Sequence, residues 1–207
     1  MSSNVVFLLE QTHLLNDPCT DPSQISVISN SISQFINGHS FDSLTHLFRE
    51  INVFVTNSQN QPEMAETILR LKIILWQRVV SFHSLDQNQI RTIMEIVQQE
   101  WTLHHSSTWF SKKVSSHFSV ILLKLSRTNA QFLAKILRDL LRVSNDPEKS
   151  LCVLFTLQSI AETVFSTESR HIHWTLSQRL QLQKTFLTEA SSIFQFVFVV
   201  LTQTQHE

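Results

Sequence analysis

The sequence predicts an all-α protein, an α-α superhelix of the HEAT or armadillo type with about four helix pairs, and three observations predict it. Gly38 is the single glycine among 207 residues, where average usage of roughly 7% would give about 14. Glycine loops that cradle phosphates and turns that need positive φ are therefore hard to write, and Rossmann, P-loop, TIM-barrel and tight-hairpin β folds lose support. Proline recurs where a helix begins, since the first helical position needs no backbone N–H. Finally, apolar residues recur at i, i+3 and i+4 along nearly the whole chain.

The elements follow in order. A short N-terminal helix at about 4–15 carries the apolar stretch Val5 to Leu9. Asp21-Pro22 opens a helix with Ile25, Ile28, Ile32, Phe35 and Ile36 at helical spacing. Gly38 stands just past it, where a left-handed residue ends a helix. Leu44, Leu47, Phe48, Ile51 and Phe54 make the next face. Gln61-Pro62-Glu63 opens a long helix through Phe82, and Ile90, Ile93, Met94, Val97 and Trp101 mark another at about 86–101.

Phe110, Val114, Phe118, Ile121, Leu122 and Leu125 share a face. Leu133, Ile136, Leu137, Leu140 and Leu141 form the following one, behind a capping box at Thr128-x-x-Gln131. Asp146-Pro147-Glu148 joins cap, first-turn proline and an acid suited to the helix dipole. Helical spacing then holds from Leu176 through Leu201, and the nearly all-apolar run from Ile193 to Leu201 reads as a buried helix.

Helix starts near 22, 62, 106 and 147 alternate with starts near 41, 86, 129 and 176, a period of about 40 to 47 residues that suits HEAT pairs. The repeats fall at about 20–57, 61–104, 105–143 and 145–203, a single solenoid segment over 1–207. A compact all-α bundle produces similar spacing and is the alternative. In a solenoid a free terminal repeat carries a polar outer face. Here Ile193, Phe194, Phe196, Val197, Phe198, Val199, Val200 and Leu201 load the last helix, and a following repeat is expected to cover it.

Sixteen Lys and Arg against seventeen Asp and Glu leave a formal charge of −1, which gives no basic stripe for nucleic acid. Mean hydropathy of −0.01 and the lack of a run near the roughly 20 apolar residues of a membrane span point to a soluble protein. Cys19 and Cys152 suggest neither a disulfide framework nor a zinc site. A reducing compartment, cytoplasm or nucleus, is expected.

Ten histidines invite a metal, but His104-His105 and His171-x-His173 lack the H-E-x-x-H spacing, and solvated loop histidines account for the second pair. No nucleophile-elbow pattern singles out a serine, so no catalytic residue, cofactor or metal is assigned and an enzyme is not expected. Trp76, Trp101 and Trp109 read as core, and Trp174, in a polar loop, as exposed. Arg91, Glu95 and Gln98, with Asn88, share the face opposite Ile90 and Ile93, while Arg138 and Arg142 lie one turn apart. A solvated face explains both sets; a partner site is the sharper reading, and Arg91, Glu95, Gln98 and Arg138 are its candidates.

One resemblance gives these faces a context. Leu151-Cys-Val-Leu-Phe-Thr-Leu-Gln-Ser-Ile-Ala-Glu-Thr-Val-Phe165, a long loop, then Ala190-Ser-Ser-Ile-Phe-Gln-Phe-Val-Phe-Val-Val-Leu201 resemble the fourth HEAT repeat of exportins, in the importin-β (karyopherin) superfamily. Ile73-Ile-Leu-Trp-Gln-Arg-Val-Val80 is similar to the first helix of the second repeat. Asn145-Asp-Pro147 and Leu176-Ser look most like the exportin-4 and exportin-7 type. The likeness covers roughly residues 20–203. Where several exportins have Trp-Pro and a second Trp, this chain has Leu125-Ser-Arg-Thr-Asn-Ala130.

The resemblance implies the N-terminal arch of a nuclear transport receptor, whose inner helices bind the GTP-bound GTPase Ran and support transport of protein cargo. Family members are far longer, so cargo-binding repeats are expected beyond this segment. The family's Ran contacts lie on second helices, here about 41–55, 86–101 and 129–142. A HEAT-like adaptor that binds proteins without Ran is the alternative.

Overall fold

Every regular element is a helix among the residues that the computed structural model describes, 2–57, 62–82, 85–104, 107–126, 130–143, 147–166 and 174–203. In order these are α1 (Ser3–Asn16), α2 (Pro22–Asn37), α3 (Phe41–Asn57), α4 (Pro62–Ser81), α5 (Gln87–Leu103), α6 (Thr108–Ser126), α7 (Ala130–Val143), α8 (Pro147–Phe165), α9 (Leu176–Thr188) and α10 (Ala190–Gln203). Prolines 22, 62 and 147 are each the first residue of a helix, as their lack of an N–H dictates. Asp21 caps α2: its Oδ1 accepts from Ser23 N at 2.8 Å and from Ser23 Oγ at 2.7 Å. Gln61, His105, Thr128, Asp146, His171 and His173 lie outside the described residues.

The chain divides into two compact units, Met1–Ile96 and Val97–Glu207. In the first, α1 packs against α2, α3 and α4, and α3 packs against α4. The interior is aliphatic, with Val5, Leu8, Leu44, Ile51, Leu71 and Leu75 fully buried, and Phe48 meets Trp76 at 5.2 Å between ring centroids. Ser2 Oγ donates to Glu50 at 2.6 Å, tying the start of α1 to α3.

In the second unit α6 lies along α8 and also against α7, while α7 packs on α8, α9 and α10. Small residues allow the close approach of α6 and α8. Ser111, Ser115 and Ser119 recur every four residues on α6 and are buried. Ser115 Oγ donates to the Cys152 carbonyl at 3.1 Å, and Ser119 Oγ meets Ser159 Oγ at 2.6 Å. These hydroxyls thus enter the interface with partners rather than as unpaired polar atoms.

Several expectations need correction. Gly38 does not end α2 in a left-handed conformation: its φ is −73° and ψ −12°, and no residue described has a positive φ. The chain leaves α2 through a right-handed turn that any residue can make. The helix expected to run unbroken from Leu176 stops at Thr188, and α10 restarts at Ala190 with a 54° bend. Nor is its apolar end buried, because only Phe196 and Val200 of α10 reach the interior while Phe194, Phe198, Val199 and Leu201 stand on the surface. A helix apolar all round has more such surface than α7, α8 and α9 cover.

Trp109, expected in the core, is 46% exposed. Neighbouring residues on a helix point about 100° apart, and Phe110 occupies the core position. Trp174 is half-buried rather than open, under the Arg179 guanidinium at 5.7 Å. Cys19 is an exposed and Cys152 a buried free thiol, and burial raises the Cys152 pKa despite a hydrogen bond from Ser111.

Candidate functional site

An apolar groove of about 450 Å³ runs along α8 in the second unit. Its origin is the double patterning of that helix. Val153, Leu157, Ile160 and Val164 form one stripe and are buried. Leu151, Leu154, Gln158 and Ala161 form a second stripe, one residue out of phase, which lines the groove. Phe186 of α9 and Ile193 and Val197 of α10 supply the opposite wall.

The groove offers little chemistry beyond apolar contact. Gln158 is its polar member, and its side-chain amide donates to Glu162 Oε1 at 2.7 Å. Phe165 and Phe186 meet edge to face at 5.9 Å near one end. Such a surface, open to water and lined by aliphatic and aromatic side chains, suits the apolar face of a protein segment.

A second cleft, of about 400 Å³ in the first unit, is polar. Arg70 dominates it and is engaged on both sides: Nη1 donates to Asn16 Oδ1 at 2.9 Å, and Nη2 and Nε donate to Glu66 Oε1 at 2.6 and 3.0 Å. The cleft is therefore a tie between α1 and α4. Among the described residues no three His, Cys, Asp or Glu side chains gather as a metal site. His104 Nε2 lies 3.8 Å from Glu100 Oε2, and its ring packs on Phe110.

The four residues singled out for partner binding are all on the surface. Arg91, Glu95 and Gln98 are exposed on successive turns of α5, with Arg91 and Glu95 in the first unit and Gln98 in the second. Arg138 is exposed on α7, and its Nε donates to Glu189 Oε1 at 3.1 Å. It therefore holds the turn between α9 and α10 whatever else it does. Arg142, one turn on, lies 3.8 Å from Asp139.

The groove itself escaped the sequence reading, although its signal was present. A helix apolar on two adjacent stripes, as α8 is, must find two neighbours or leave one stripe in water. No single described helix is long and apolar enough to cross a membrane; α9 and α10 reach that composition only together, across their bend. Set against protein-family models, curated proteins and solved structures, the chain matches none of them.

Proposed function

We propose that this chain is a helical scaffold that binds other proteins, a HEAT-like segment of about four helix pairs: α2 with α3, α4 with α5, α6 with α7, and α8 with α9 and α10. The packing of α6 on α8 and of α7 on α9, first helix to first and second to second, supports that pairing in the second unit. The carrying observation for the function is the apolar groove between α8 and the α9–α10 wall. An amphipathic helix of a partner fills it, with apolar side chains at i, i+3, i+4 and i+7 against Leu154, Ala161, Ile193 and Val197. Capture of partners by the wild-type chain beside Leu151→Glu and Leu154→Glu variants tests this. A partner retained by wild type, lost by both folded variants and reconstituted from purified components is the expected result; equal retention refutes the groove.

The narrower reading is the exportin-like one, in which the partner is GTP-bound Ran and the chain supports movement of protein cargo between nucleus and cytoplasm. It rests on the resemblance of segments 73–80, 151–165 and 190–201, and the exposure of Arg91, Glu95 and Gln98 on α5 favours it. Calorimetry with Ran carrying a non-hydrolysable GTP analogue, beside Ran-GDP, discriminates. Preference for the GTP form, weakened by charge reversal at Arg91 and Glu95, is the expected outcome. Equal or no binding by the folded chain leaves the adaptor without Ran.

A further inference from the structure

The outward stripe of α8 forms one side of the groove, and one of its residues is charged. Leu151, Phe155, Gln158, Glu162 and Phe165 follow one another at alternating intervals of four and three residues, the spacing by which one helix packs along another. All five lie on the single unbroken helix Pro147–Phe165. Leu151 and Phe165, at its ends, are 40% and 44% exposed, and Gln158 and Glu162 are exposed between them.

Glu162 is poorly placed for its own helix. It sits in the last turn of α8, where unpaired carbonyl ends favour a cation, and that turn holds no basic residue. Its Oε1 accepts from the amide of Gln158, which lines the groove, but among the described residues no ion pair reaches it. The facing wall supplies no cation, since α10 contains no charged residue and Phe186 is the member from α9. The two cations of α9 are placed otherwise: the Arg179 guanidinium lies over the Trp174 ring, and Lys184 is exposed and makes no ion pair with Glu162.

We propose that the occupant of the groove is a basic amphipathic helix, whose apolar side chains meet Leu151, Phe155 and Phe165 and whose lysine or arginine meets Glu162. A polar position inside an apolar seam fixes register and partner, because a wrong register sets the carboxylate against hydrocarbon. A second copy of this seam brings another glutamate and no cation, and an acidic helix adds like charge. The cation presupposes the groove as a docking surface and adds a chemistry to what docks there.

Selection of displayed helical peptides on the full chain tests it, from a library with leucine along one seam and the other positions randomised. Peptides held by the wild type are expected to share a lysine or arginine at one fixed position, and those held by Glu162→Lys an aspartate or glutamate at that position. In calorimetry a selected peptide should bind Glu162→Gln about three- to tenfold more weakly than wild type. Replacing its cation by glutamate should restore binding to Glu162→Lys. Peptides without a charge preference, or bound equally by wild type and Glu162→Gln, overturn the cation and leave the groove standing if folded Leu154→Glu loses them. Peptides held equally by Leu154→Glu, or no peptide held at all, overturn the groove and the cation together.

Discussion

Arg138 Nε lies 3.1 Å from Glu189 Oε1, joining the middle of α7 to the turn at which α9 gives way to α10. The two residues are far apart in sequence, and Glu189 is buried while Arg138 remains in contact with water. Removing the arginine leaves a carboxylate in a poorly hydrated place. Arg138→Ala should therefore cost about 1 kcal/mol, at the upper end for an exposed pair because one partner is buried. Urea unfolding of Arg138→Ala, Glu189→Ala and the double variant checks it, with a coupling energy near zero counting against the tie.

The tryptophans divide sharply. Trp76 is enclosed between α3 and α4 beside Phe48, and truncation there should cost about 3–5 kcal/mol. Trp109 is 46% exposed and meets Phe110 edge to face at 6.0 Å, and Trp109→Ala should cost about 1 kcal/mol or less. Unfolding midpoints of the two variants, with iodide quenching reduced in Trp109→Ala and not in Trp76→Ala, measure the contrast.

Helix starts were legible because proline states its position chemically: a residue without an N–H fits the first turn, and Pro22, Pro62 and Pro147 all sit there. The α9–α10 break was not. No proline or glycine marks it, Leu187 and Phe194 keep helical register across it, and the residue at the bend is held by Arg138 from a distant helix. Periodicity likewise shows which residues share a face but not whether a neighbour covers it. That is why α10 read as buried and the second stripe of α8 passed unnoticed. Thr175 shows the converse, a local signal overlooked: with Gln178 it makes a reciprocal capping box at the start of α9.

Asp21 gives a pH test. Hydrogen bonds from the Ser23 hydroxyl and backbone N–H hold its pKa below the ordinary 3.8. A carboxylate whose pKa is lower folded than unfolded stabilises α2 above that ordinary value and loses the effect as pH falls through the folded pKa. Protection from hydrogen exchange in the first turn of α2, taken relative to the unstructured-peptide rate at the same pH, should be greatest at neutral pH and fall below about pH 4. Asp21→Asn, which caps without titrating, should abolish that pH dependence of protection, and Asp21→Ala should show low protection throughout.

Gly38 offers the opposite kind of substitution, one that should stabilise. Its right-handed φ of −73° is open to any L-residue, and a Cβ there meets only the carbonyl oxygens of Phe35 at 3.5 Å and Gln34 at 3.6 Å, ordinary contacts. Alanine at this position restricts the unfolded chain without straining the folded one, and Gly38→Ala should raise stability by about 0.4–1 kcal/mol. Had the glycine been left-handed, as its place after α2 suggested, the same change would destabilise by more than that. The sign of the shift in urea midpoint therefore decides between the two conformations.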